Sequence, residues 1–227
     1  DTFTVSKERC IQFCNLLRKA KMDLTWTCHV HVNNVDYEMF KAMRTAGCRQ
    51  VWMGVESGSA LILKELKKGS NLQKVKNAFA LAKKAGLERR AYFMIGSPSE
   101  SHETILESRK LLKDLKPDYT WLTVLTPYPG CELYEYAREK GYVSDNMDWS
   151  VVDLHFTVTM PTKFLSEEEL CDEHNSFSKF REKYQKKDRL GLVQLLKLVI
   201  EKLKLSPPRQ YPLLVIKFFR YLRSAYL

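Results

Sequence analysis

Residues 50–95, QVWMGVESGSALILKELKKGSNLQKVKNAFALAKKAGLERRAYFMI, alternate between two kinds of hydrophobic pattern. Gln50–Val55 (QVWMGV) is a short, nearly continuous apolar run and reads as a strand. Leu61–Leu66 reads as a short helix. Asn71 offers a helix N-cap, and Val75, Ala78, Phe79 and Ala82 follow at helical spacing. Ala85-Gly86 ends that helix, since Gly readily takes the left-handed cap conformation. Arg90–Ile95 (RAYFMI) is the next strand. The pattern extends in both directions. Upstream, Leu24–Val30 is a strand, and Asp36 caps a helix with Met39, Phe40 and Met43 on one face that stops at Ala46-Gly47. Downstream, a helix from about Ser101 carries Ile105, Leu106, Leu111, Leu112 and Leu115 until Pro117. Tyr119–Leu125 is the fourth strand.

Four strands alternating with helices imply parallel βα units joined by right-handed crossovers. The short apolar strands suggest a sheet covered on both faces. An open doubly wound sheet and a barrel, whole or partial, both satisfy the spacing. After Pro129-Gly130 the character changes. Leu133, Tyr134 and Ala137 suggest a helix ending at Gly141, and residues 142–164 are irregular. Ser166–Glu169 form a capping box for a helix expected to reach about Lys187. Leu192, Leu195, Leu196, Val199, Ile200 and Leu203 then make one helical stripe. Pro207-Pro208 breaks it, ahead of a last helix over about Pro212–Tyr226.

The 227 residues carry a formal charge of +10, unevenly spread. Residues 1–180 hold 25 Lys/Arg against 24 Asp/Glu, and residues 181–227 hold 12 against 3. A near-neutral body argues against a nucleic-acid groove across the main domain. The basic, amphipathic tail suits either packing on the body or an anionic membrane surface. No run of about 18 uncharged apolar residues marks a membrane span. Cys10, Cys14, Cys28, Cys48, Cys131 and Cys171 form no compact disulfide framework, so reduced thiols in a cytoplasmic protein are expected, peripheral at a membrane if the tail binds one.

In parallel βα folds the working residues gather at the carboxyl ends of the strands. The four segments there are Cys28–His31, Gly54–Ser59, Gly96–Glu100 and Thr126–Gly130. Two of them place Gly near Glu: Gly lets a ligand approach the backbone, and Glu accepts hydrogen bonds from hydroxyl or amino groups. Pro-rich turns hold carbonyls and amides rigidly. Together they describe a pocket for a small polar ligand such as a nucleoside. His29 and His31 face one side of a strand, but no third metal ligand accompanies them.

Three ordered motifs carry a family resemblance: GCRQVWMGVESGSALILKELKKG (Gly47–Gly69), AYFMIGSPSESHETI (Ala91–Ile105) and LTPYPGCELYEYAREKG (Leu125–Gly141). Over about residues 1–187 the chain resembles the radical S-adenosylmethionine (SAM) superfamily, most of all members with an upstream cobalamin-binding domain. The resemblance implies an α/β fold, a partial (β/α) TIM-type barrel whose parallel strands here are strands three to six, followed by a helical C-terminal extension. It divides the chain into the partial barrel (1–141), an irregular segment and helix (142–187) and the basic helical tail (188–227). Asp1–Thr4 would end the second strand.

The resemblance also implies function. Family members hold a [4Fe-4S] cluster on a CxxxCxxC loop and use it to cleave SAM to a 5′-deoxyadenosyl radical. Here that loop is expected before residue 1, in an upstream part of the same polypeptide. Cys10 and Cys14 give only CxxxC, with Leu17 at the third position, and sit at i, i+4 on a helix, so they read as packing residues. SAM contacts are implied for Glu56 and Ser57 after the second strand seen here. They are implied too for Gly96, Pro98 and Glu100 after the third, and for Thr126, Pro127 and Tyr128 after the fourth. Glu100 also reads as a charge favouring the start of its helix, and Tyr128 as a rim aromatic. Ser99, Cys131, His31 and Asn33 depart from the family pattern, which has Gly, Thr, Arg and Asp there. The implied activity is that of an enzyme incomplete in this chain, with cobalamin-dependent methyl transfer to a small or lipid-like substrate as the leading reaction. The alternative is a non-catalytic barrel-derived module held at a membrane by its tail.

Overall fold

The computed structural model describes residues 2–144, 146–149, 152 and 157–184; the tail expected over 188–227 lies outside them. The elements are α1 (Lys7–Lys19), β1 (Trp26–Val30), α2 (Tyr37–Thr45), β2 (Cys48–Glu56), α3 (Ala60–Glu65), α4 (Leu72–Lys84), β3 (Glu88–Ile95), α5 (His102–Leu115), β4 (Tyr119–Val124), α6 (Glu132–Glu139) and α7 (Glu167–Glu182). The helix starts follow from side-chain oxygens that satisfy otherwise unpaired amides. Asp36 accepts from Met39 N, Asn71 from Lys74 N, and Ser101 and Ser166 each complete a capping box. Gly47 is required between α2 and β2: its φ is +93°, and a Cβ there would lie 2.0 Å from the Leu24 carbonyl oxygen.

All strand pairs are parallel, and the order is β1-β2-β3-β4, the order of the sequence. A doubly wound sheet reverses direction at a switch point. Among the described residues this sheet has no reversal, as in a segment of a barrel. Burial alternates strictly along β3 and β4. Val51, Met53, Val55, Ala91, Phe93, Ile95, Leu122 and Val124 are buried, in one core with Phe40, Met43, Phe79, Ile105 and Leu112 for all but Val124. Each large apolar side chain buried there contributes about 1.5–3 kcal/mol. The α7 helix extends that core, with Phe177 5.7 Å from Phe93 between ring centroids.

The opposite face carries Trp52, Gly54, Arg90, Tyr92, Tyr119, Trp121 and Thr123, none of them buried. Among the described residues, the helices cover the other face of the sheet. The aromatic residues of the opposite face made the strands look continuously apolar, although only every second side chain enters the core.

Two expectations are corrected. Phe3–Val5 is a 3-10 turn and not a strand end. Ser6 caps α1 through Arg9 N, and the Phe3 ring packs edge-on against Phe13 and Trp26. The last described helix ends at Glu182, where the Lys183 amide bonds back to Arg181 and Phe180. Between α6 and α7 the described residues are largely irregular, and Val143 and Met160 join Tyr134 and Ala137 in a second apolar cluster. Among the described residues no helix is long and apolar enough to cross a membrane.

Candidate functional site

At the carboxyl end of β2 the pairing with β3 shifts register between Gly54 and Glu56. Glu56 itself has φ +63°, a left-handed conformation that is strained for a residue with a Cβ. That turn folds its side chain back over Gly54. A Cβ on Gly54 would lie 2.3 Å from Glu56 Oε1 and 2.8 Å from Lys68 Nζ, so the glycine makes room for both. Lys68 Nζ donates to Glu56 Oε1 at 2.6 Å, with both side chains about one-fifth exposed. His29, His31, Trp52 and Tyr92 complete a cleft of about 320 Å³ around this pair. Burial, with Lys68 adding to it, holds the His31 pKa below its usual value, so its ring is neutral at pH 7.

Ser57, the next residue, turns the other way. Its hydroxyl lies 3.1 Å from Ser108 Oγ on α5 and accepts from Ser59 N, while Gly58 N donates to Ser108 Oγ at 2.8 Å. Ser57 is wholly buried and does not line the cleft. It anchors the loop that presents Glu56.

After β3, Gly96 takes φ +98° and packs against Leu170 and Val124. The rest of this loop is clamped from two sides. Ser99 N and Oγ both donate to the Glu65 carboxylate, at 3.1 and 2.8 Å. Lys163 N donates to the Pro98 carbonyl at 2.8 Å, and Thr162 Oγ1 to that of Glu100 at 2.8 Å. The side chain of Glu100 is fully buried. Its Oε1 accepts from Thr104 Oγ1 at 2.7 Å, and its Oε2 has no hydrogen-bond partner. Burial pushes its pKa up to about 7, against the pull of Thr104 and the Ser97 and Gly96 amides. Its role is thus not that of a full charge at a helix start, where Ser101 provides the cap.

After β4, Thr126 and Pro127 are buried, and the Thr126 hydroxyl donates to the Val124 carbonyl at 3.5 Å. Tyr128 is exposed, its ring 5.7 Å from Trp149. The Leu125 N to Ile95 O bond of 2.8 Å joins the β3 and β4 loops. Of the eight residues expected to touch a ligand, only Glu56 lines the cleft. Lys68, Trp52 and Tyr92 were not foreseen. The strand alternation that puts Trp52 with Gly54 and Glu56 was a usable signal; Lys68 had none.

Cys10 and Cys14 are buried in α1, and burial pushes the Cys10 thiol up to about 12. They are neutral packing residues. All six cysteines are free, and the described residues contain no cluster of three or more His, Cys, Asp or Glu that could hold a metal. A cluster therefore does not fit these residues.

The model of the radical SAM superfamily matches residues 4–112. Over that stretch, a little under half of its length, the chain is similar to the radical SAM superfamily. An uncharacterized methyltransferase from Pyrococcus horikoshii is 39% identical over 173 residues, which cover 73% of this chain and 38% of that protein. The anaerobic magnesium-protoporphyrin IX monomethyl ester cyclase of Rubrivivax gelatinosus is 28% identical over 63% of this chain and 26% of its own length. The chain thus spans between a quarter and two-fifths of these relatives. Among solved structures, the radical SAM enzyme coproporphyrinogen III oxidase from Escherichia coli superposes with a TM-score of 0.62 at 14% identity, over 87% of this chain and 44% of that one. The radical SAM methyltransferase TsrM of Kitasatospora setae, solved with cobalamin and a [4Fe-4S] cluster, gives 0.54 at 18%, over 76% and 36%. These likenesses show the fold of a radical SAM barrel.

SAM suits the cleft chemically. Its ribose hydroxyls and amino group need acceptors, which the Glu56 carboxylate supplies. Its carboxylate needs a cation, and Lys68 stands beside Glu56.

Proposed function

We infer that this chain forms the SAM-binding part of a radical SAM enzyme, with the cleft around Glu56 and Lys68 as the site. Glu56 accepts hydrogen bonds from the ligand. Lys68 holds that carboxylate in place by donating to its Oε1 at 2.6 Å. Ser57 and Ser108 hold the turn that aims Glu56. The clamped Gly96–Glu100 loop and the Thr126–Tyr128 turn shape the neighbouring strand ends through their backbones. SAM held there would supply the one-electron chemistry of the reaction. The cluster ligands come from cysteines beyond this sequence, in the same polypeptide. Methyl transfer is the reaction class in this reading, with cobalamin as a further cofactor, since two similar proteins are named methyltransferases and one of them was solved with cobalamin. The observation that carries the reading is the Glu56–Lys68 pair folded over Gly54 at a strand's carboxyl end.

Isothermal titration of SAM into the full-length protein tests it. Glu56→Gln removes a charge-assisted acceptor and is expected to weaken SAM binding by about 1.5–3 kcal/mol. Unchanged affinity would refute the assignment.

A further inference from the structure

Consecutive arginines on β3 meet opposite environments. Arg89 faces the covered side, where its Nε lies 3.0 Å from Asp118 Oδ2 and its Nη2 donates to the Lys116 carbonyl. Arg90 faces the open side. Its guanidinium carbon is 5.2 Å from the Trp52 ring centroid and 5.3 Å from that of Tyr119. The register explains the bracket, because Trp52, Arg90 and Tyr119 are direct partners across three strands. Ring faces on both sides attract the planar cation and restrict its rotation.

Arg90 has no carboxylate partner among the described residues, and its Nε is buried without a hydrogen bond. A half-buried guanidinium lacking a counter-ion is costly, and an arriving anion would offset that cost. The acid at the mouth of this face, Glu56, is already neutralised by Lys68. Next to Arg90 stand flat rings. His29 stacks on Tyr92 with centroids 5.8 Å apart and planes 25° apart, and Trp52 meets His29 edge-on at 4.7 Å. Among the described residues the face thus combines one fixed cation with aromatic walls. One guanidinium balances one negative charge and matches the two oxygens of a carboxylate. A phosphate monoester, with nearly two charges, would call for a second free cation.

We propose that the open face of the sheet, beside the Glu56 cleft, binds a planar aromatic carboxylate, with Arg90 receiving the carboxylate and Trp52, Tyr92 and His29 the ring. This assigns the substrate class of the same site and rests on the SAM reading above. The test uses the full-length protein and three probes: 2-naphthoate, its neutral amide, and cyclohexanecarboxylate, which keeps the charge but lacks the flat ring. Titration calorimetry is expected to show saturable 2-naphthoate binding, at least tenfold tighter than either control. Arg90→Gln should weaken 2-naphthoate at least tenfold and abolish its advantage over the amide, with SAM affinity unchanged. Glu56→Gln should do the reverse, losing SAM and keeping 2-naphthoate, so the two readings fail separately. Absence of 2-naphthoate binding, including the case of a carboxylate elsewhere in the polypeptide occupying Arg90, overturns the proposal. So does equal affinity in Arg90→Gln. If that variant does not fold, Arg90→Lys takes its place: it keeps the charge without the planar fork, and affinity equal to the parent protein overturns the proposal.

Discussion

The loops after β2 and β3 each place a glutamate near a glycine at a strand's carboxyl end, and the two glutamates end in different physical states. Glu56 is partly exposed, held in a left-handed turn and paired with Lys68. Glu100 is fully buried, shares a hydrogen bond with Thr104 and is close to half-protonated at neutral pH. The first loop presents a charge to the cleft, while the second encloses one carboxyl among backbone clamps from Thr162 and Lys163. Residue type and position along the fold were alike. The environment supplied by distant segments separated them.

The contrast can be broken most forcefully at the seat of the first loop. A Cβ on Gly58 would lie 2.4 Å from the Glu107 carbonyl oxygen and 2.6 Å from Ser108 Cα, both backbone atoms of α5. Gly58→Ala must push loop and helix apart, so a loss of about 3 kcal/mol is expected in urea unfolding of the full-length protein. A loss below 1 kcal/mol would mean that the loop is not seated on α5.

A second test concerns pH. The Glu100 carboxyl titrates near 7 in the fold and near 4.5 when unfolded. Between those values the unfolded chain releases a proton that the native state retains, so stability falls as pH rises through this window. Below it the contribution is absent, and above about pH 7 the loss is complete, on the order of 3 kcal/mol. Glu100→Gln removes this dependence. The stability of the variant relative to the parent should rise between pH 5 and pH 8; a constant difference would show that Glu100 is ionised throughout.

The smallest effect belongs to the exposed partner of the comparison. Lys68→Met, combined with Glu56→Gln in a double-mutant cycle, should give a coupling energy of about 1 kcal/mol, since water still reaches both side chains. Coupling near zero would detach Lys68 from the positioning of Glu56.

Much of the fold could be read from the sequence because it is written locally. The caps at Asp36, Asn71, Ser101 and Ser166 precede helices at those positions, and β1 to β4 fall within two residues of the apolar runs that announced them. Which face each strand residue takes was harder to read, because Trp52 and Tyr92 count as apolar whichever way they face. The site was less legible for a related reason. Glu56 could be found from its own loop, but its ion-pair partner is twelve residues away with no periodic relation. Ser57 looked like a ligand residue because its hydroxyl partner, Ser108, belongs to α5. Glu100 looked like a helix-start charge because the residues that bury and clamp its loop come some sixty positions later.

The sequential strand order bears on how the chain reaches this structure. Thr27 pairs with Gln50, Trp52 with Arg90 and Arg90 with Tyr119, so successive partners lie 23, 38 and 29 residues apart. Each strand docks on the one made just before it, and the entropy of closing each loop grows only slowly with its length. The sheet can therefore lengthen one unit at a time as the polypeptide emerges from the ribosome, with a new unpaired edge exposed at every step until the next strand covers it.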